Sequence, residues 1–318
     1  MGLTGIPERV TVAGSVSRPP AVTRWVGAVR SLAVASLVAQ VLVIGTGGAV
    51  RLTDSGLGCP TWPRCTDGSY VNTPAYGIHG FIEFGNRLLT VALTVLTLVT
   101  LVAAVRARPV RRDHRLLALA LMVGIPVQAV LGGLSVLSKL NPWVVSVHYL
   151  CSALLVAVAT VFVHRTRTGV VDGPRLWRVP RPVRGLTIGL AAATAAVVYA
   201  GTIVTGSGPH AGNTASARTG LDPAEVAQLH ADLVTLLIGL TIGLAVAVGL
   251  TVPDPRAWHT VVVLLVVEGA QAAVGWIQYF TGLPVGLVDL HLVGAAIVVS
   301  LATRAVLTTR APSGPDLP

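Results

Sequence analysis

The sequence predicts an all-α integral membrane protein whose eight transmembrane helices form two pseudo-two-fold-related four-helix bundles. Three observations predict it. Of 318 residues, 53% are hydrophobic and only 11% charged, with a mean hydropathy of +0.75, whereas soluble domains carry about 25% charged residues. The apolar residues run in blocks about 20 long rather than alternating, which excludes both a water-soluble globule and an outer-membrane barrel. Finally, the polar residues that interrupt the later blocks repeat the spacing of those in the earlier ones.

The apolar blocks are 31–50, 80–105, 116–137, 143–163, 185–205, 226–251, 258–280 and 285–303. Each can cross a hydrocarbon core of about 30 Å. The first 24 residues are polar and include Arg9, Arg18 and Arg24, and no A-x-A-like site follows the first block, so that span is expected to be retained rather than cleaved. The expected organisation is a cytoplasmic tail (1–24), a first half (25–163), a cytoplasmic Arg/Pro-rich linker (164–184), a second half (185–304) and a cytoplasmic tail (305–318). With the N-terminus inside, 18 of the 23 Lys and Arg residues fall on inside segments. That bias predicts a plasma-membrane protein with both termini cytoplasmic. The net charge of +10 is therefore a topology signal in a lipid bilayer, and no nucleic-acid partner is expected.

Gln128, Gly132 and His148 recur as Gln271, Gly275 and His291 with the same spacing. Thr53-Asp54-Ser55-Gly56 after the first block is matched by Thr205-Gly206-Ser207-Gly208 after the fifth, and Asn86-Arg87-Leu88-Leu89-Thr90 lines up with His230-Ala231-Asp232-Leu233-Val234. Two halves with an even number of spans share an orientation, so equivalent sites should lie side by side about an axis along the membrane normal.

Of eight histidines, His114, His164 and His259 sit beside arginines at cytoplasmic helix ends, where a snorkelling role suffices. His148, His230 and His291 differ, because each lies about 8 Å inside the outer end of an apolar span. Ionisable groups there are functional candidates. Two histidines facing one another across a bundle form the geometry that ligates a haem iron from both sides. His230 and His291 fit that description, and zinc would want further ligands that the apolar surroundings do not offer.

The first half has His148 but carries Asn86 where His230 recurs. His79, Glu83 and Asn86 share one helical face at i, i+4 and i+7. Glu83 has no counterpart in the second half, where Ala227 aligns with it. One half thus looks built to hold a cofactor and the other to react. The alternative for Glu83 is a surface ion pair with Arg87 worth about 0.3 to 0.5 kcal/mol. Arg87, Arg51 and Arg218 are also candidates to neutralise a haem propionate. Cys59 and Cys65 share one outer loop, where a disulfide can form, while Cys151 reads as a packing residue.

These residues resemble the haem A synthases over nearly the whole chain. The resemblance rests on Arg51-Leu52-Thr53-Asp54-Ser55-Gly56-Leu57-Gly58-Cys59 continuing to Trp62-Pro63-Arg64-Cys65, on Glu83 with Asn86-Arg87, on Thr205 through Gly212, and on His148, His230 and His291. It implies oxidation of a ring methyl of haem O to a formyl group by successive hydroxylations, giving haem A for terminal oxidases. It also implies haem B between His230 and His291, substrate haem O in the first half with His148 on its iron, and Glu83 as the residue important for the reaction. Haem O synthase, the farnesyltransferase that makes the substrate, and an electron donor are the implied partners. The departure is Asn86, where the family generally has histidine. His79 lies about 10 Å away along the axis and cannot simply replace it. Either His148 holds the substrate iron from one side or a local rearrangement brings His79 in. The rival readings are a non-catalytic dihaem b-type cytochrome and a haem carrier, neither of which explains why only one half carries a glutamate on the ligand face, nor the two related outer-loop signatures.

Overall fold

The computed structural model describes residues 21–167, 175–177, 179–252 and 254–312. It is built of eight long helices: α1 (Ala21–Leu52), α2 (Gly77–Arg106), α3 (Arg112–Leu137), α4 (Pro142–Arg167), α5 (Arg181–Ser207), α6 (Pro223–Thr251), α7 (Pro255–Phe280) and α8 (Val285–Thr308). All eight are long and apolar enough to cross a membrane. They outrun the apolar blocks because polar residues extend their ends. Proline opens several of them, where its missing N–H costs nothing. Asp222 caps α6 by accepting from the amides of Ala224 and Glu225, and Asp254 caps α7 by accepting from that of Arg256.

Within the first half α1 packs on α2, α2 on α3, α3 on α4 and α4 on α1, and the second half closes the same ring with α5 to α8. The halves meet through α1 with α8, α4 with α8 and α4 with α5. Exchanging α1–α4 for α5–α8 leaves this pattern of pairs unchanged. Each half has its own apolar core, around Val29, Leu121 and Phe162 in the first and Leu190, Leu244 and Leu264 in the second. A smaller cluster of Ile44, Val156 and Ala296 joins them. Small residues set how closely the halves approach: a Cβ on Gly45 of α1 would stand 2.9 Å from a methyl of Val293 on α8. The hydroxyls of Thr160 and Ser300 pair at 2.8 Å across the same boundary.

At one end of the bundle the two related loops are tied together. The Gly56 amide donates to the Gly212 carbonyl at 3.0 Å, and Arg51 at the end of α1 donates to the carbonyls of His210 (2.7 Å) and Thr205 (3.0 Å). Gly212 has φ of +96° and lies close against Leu140, a position that favours glycine on both counts. At the opposite end two short strands pair antiparallel, β1 (Arg175–Trp177) with β2 (Arg310–Pro312). The sequence reading treated linker and tail as separate segments. They meet because the Trp177 ring takes the guanidinium of Arg310 at 4.2 Å and that of Arg184 at 5.5 Å.

Candidate functional sites

α6 and α8 both begin at the end that carries the loop pair, so His230 and His291 stand about 10 Å along their helices from it. Their rings face one another with centroids 6.4 Å apart and planes inclined at 75°. Two imidazoles on opposite sides of one metal ion, each bonded at about 2 Å, put their centroids about 6 Å apart. The spacing observed fits that requirement. Each Nδ1 is buried without a hydrogen-bond partner. Backbone carbonyls of the neighbouring helices, Val197 for His230 and Gln271 for His291, face these rings. Among the described residues no group of three or more His, Cys, Asp or Glu side chains could hold a bare metal ion, so the pair has no third protein ligand of the kind zinc uses.

Glycine makes room for each ring. A Cβ on Gly275 of α7 would lie 3.4 Å from Cε1 of His291, and one on Gly201 of α5 would lie 3.2 Å from Cε1 of His230. In the first half a Cβ on Gly132 of α3 would lie 3.4 Å from Cε1 of His148, whose Nδ1 is again buried and unpartnered. Gln128 holds the His148 turn by donating to the carbonyl of His148 at 3.2 Å and to the Ser152 hydroxyl. The three histidines singled out in the sequence thus share one cradle, a ring laid against a glycine on the preceding helix.

Asn86 takes a different part. Its Oδ1 accepts from the Thr46 hydroxyl at 2.9 Å, which links α2 to α1. His79 is held away from it at the loop, its Nδ1 paired with Ser55 Oγ at 3.0 Å. The rearrangement that would carry His79 to the place of Asn86 is not what the structure adopts. Glu83, only 5% exposed, points into the loop between α1 and α2. Its Oε1 accepts from Arg87 Nη2 at 2.6 Å and its Oε2 from the Cys59 amide at 2.6 Å. Arg87 in turn donates to the carbonyls of Cys59, Thr61 and Arg64. Cys59 and Cys65 are joined by a disulfide and fully buried. The Glu83 and Arg87 pair therefore exists, but it is built into the disulfide loop and is no surface pair. Of the other propionate candidates, Arg51 is committed to the loop lock and Arg218 to the carbonyls of Ser216 and Pro209.

Sequence reasoning did not single out Glu268, 3% exposed in the middle of α7, nor Asp289 on α8, packed against Gly48 of α1. The signal was available, since each is an acidic residue inside an apolar block.

A multispan helical membrane protein with duplicated histidine cradles and a disulfide-bearing loop on one half is what fold and site define. The model of the COX15-CtaA family, described as cytochrome oxidase assembly protein, matches residues 30–218, more than half of the chain. The chain belongs to that family. Among curated proteins it is similar to the heme A synthase of Bacillus pumilus, 29% identical over 185 residues, which cover 56% of this chain and 58% of that protein. It is similar to that of Lysinibacillus sphaericus, 30% identical over 182 residues (54% and 56%), and to that of Symbiobacterium thermophilum, 31% over 139 residues (42% and 44%). The chain thus matches about half the length of these curated relatives. His230 and His291 lie beyond the stretch that the family model matches.

Proposed function

We propose that the protein is a haem A synthase, an oxidoreductase that converts a ring methyl of haem O into a formyl group by successive hydroxylations. The observation that carries this reading is the asymmetry between two otherwise repeated sites. The second half presents a facing imidazole pair. The first presents one cradled imidazole, His148, with Asn86 opposite in the repeat and Glu83 fixed beside the disulfide loop. Haem B held by His230 and His291 would supply one-electron redox capacity beside the substrate site.

In the first half His148 would hold the substrate iron, and Asn86, whose side-chain oxygen accepts from Thr46, offers no second imidazole, which suits oxidation chemistry better than a bis-histidine site. Glu83 acts as proton acceptor or electrostatic stabiliser near the methyl being oxidised. An ionised carboxylate has about four lone-pair sites, and the Cys59 amide and Arg87 occupy two, so acceptor capacity remains. Arg87 positions Glu83 and closes the loop over it. The implied partners are haem O synthase as the source of substrate, a one-electron donor, and terminal oxidases as recipients of product. The excess of arginine on the inside segments supports a cell-membrane location with both termini cytoplasmic.

Haem extracted from the purified protein and separated by liquid chromatography with mass detection tests the reading. Haem A or a hydroxylated haem O is expected, and haem B alone would replace the synthase with a b-type cytochrome.

A further inference from the structure

Glu268 is the feature that the proposed function does not use. It lies 13 residues from the start of α7 and 12 from its end, which places it at mid-membrane, about 18 to 20 Å from either end. The repeat puts Ile125 in its place in the first half, three residues before Gln128 as Glu268 is before Gln271. It joins α7 to α6, the two helices that contribute Leu237, Leu244, Val261 and Leu264 to the apolar core of this half. Ionisable groups at that depth are costly and mark proton or ion sites by default.

The hydrogen bonding around it has two proton arrangements. The hydroxyl of Thr241 on α6 is 2.9 Å from the carbonyl of Leu237 and 3.0 Å from Glu268 Oε1. A threonine hydroxyl has one proton. Given to Leu237, it leaves the contact with Glu268 satisfied only when the carboxyl supplies the proton, that is, as the carboxylic acid. Given to Oε1, it serves a carboxylate. Glu268 Oε2 is buried with no partner, and so is Oε1 of Gln271, one turn nearer the imidazole pair on the same helix face. The Gln271 side chain lies against Gly294, three residues beyond His291, and its backbone carbonyl faces the His291 ring. Polar groups are thus set in a row toward His291, Thr241 bonded to Glu268 and Gln271 one turn further along α7.

Among the described residues no cation pairs with the carboxyl. The helices packed on α7 are α6 and α8. α6 carries Glu225, His230 and Asp232, and α8 carries Asp289, His291 and Arg304. On α7 itself Arg256 and His259 lie at the far end, about 14 to 18 Å along the axis. None of these forms a salt bridge or hydrogen bond with Glu268.

We propose that Glu268 and Thr241 form a proton-holding site that loads and unloads with the redox state of the haem between His230 and His291. When one electron enters that site from a one-electron donor, one proton from water joins the Glu268 carboxylate to give the carboxylic acid, and the Thr241 hydroxyl turns from Oε1 to the Leu237 carbonyl. Oxidation reverses both. The inference rests on haem occupying the second half as proposed above.

Redox titration of the purified holoprotein with dithionite and ferricyanide at several pH values tests it. The wild-type midpoint potential should fall as pH rises. Glu268→Gln should keep the low-spin haem spectrum and reduce that slope to half or less, the residue coming from propionates. Redox-difference infrared spectra should contain a carboxylic C=O band that is lost in Glu268→Gln. Should that variant not fold, Thr241→Val keeps the carboxyl and should shift the band. Equal slopes, or a band unmoved by both substitutions, would overturn the inference while leaving the synthase reading standing. Absence of low-spin haem from the wild type would sink both.

Discussion

Glu83 and Arg87 meet at 2.6 Å, and between them they grip Cys59, Thr61 and Arg64 of the disulfide loop. The carboxylate that the first half carries where the second has Ala227 is therefore coupled to the disulfide loop. A residue that only held the loop and one that also served the reaction would respond differently to loss of charge.

Glu83→Gln is the substitution that separates these roles. The amide keeps an oxygen for the Cys59 N–H but cannot take a proton as a carboxylate does. Proton transfer by a positioned side chain contributes about 100- to 10,000-fold to rate, so haem A formation should fall by at least about 100-fold. The His230/His291 haem spectrum should be unchanged, and haem O or its singly hydroxylated form should accumulate. A normal haem A yield would return Glu83 to loop holding alone.

Joining Cys59 to Cys65 closes a short loop, and chain-entropy reasoning gives such a crosslink about 2 kcal/mol. Replacing both with serine should lower the thermal midpoint in detergent by about a few degrees, the shift that a loss of that size produces in a chain of this length. It should also make the 59–65 segment more susceptible to added protease, since the Glu83 and Arg87 contacts would then hold it alone. An unchanged midpoint and cleavage pattern would show that those contacts suffice.

The eight spans were legible because period and length survive in any apolar block, His148 and His291 because duplication fixed their spacing, and His230 because it lies at matching depth in an apolar span. Other features are invisible at that level. Arg51 reads as one more basic residue at a helix end, yet its bonds to His210 and Thr205 stitch the halves together across more than 150 positions of sequence. Trp177 and Arg310 are likewise brought together only by the fold. Asn86 was recognised as a departure, but its bond to Thr46 depends on how α1 rotates against α2, which no spacing within α2 specifies.

His230→Ala and His291→Ala should each abolish the low-spin haem signal of the second half without preventing insertion. Gly201→Val should do the same without touching a ligand, because even its Cβ would stand 3.2 Å from the His230 ring and the added methyls need the space the ring fills. Gly185 on the same helix has nothing within 4 Å of its would-be Cβ, so Gly185→Val serves as the control and should leave the spectrum intact. Retention of full low-spin haem in Gly201→Val would remove the cradle from the argument.

Asn86→His restores the repeat, and its outcome depends on whether the first half is held from one side. The new imidazole would occupy the position that His230 takes in the second half, opposite His148 as His230 is opposite His291. Thr46, now bonded to the asparagine oxygen, could hold the new ring by one nitrogen and leave the other free, the arrangement that orients ligand histidines elsewhere. With haem bound in both halves, wild type should show one low-spin bis-histidine signal and a second, high-spin component from the first half. In Asn86→His the high-spin component should convert to low spin, read by optical and electron paramagnetic resonance spectra. His148→Ala added to this variant should reverse the conversion, because the closed site needs both rings. Two low-spin signals already present in wild type would show that another residue closes the first site, and the one-sided assignment to His148 would fall.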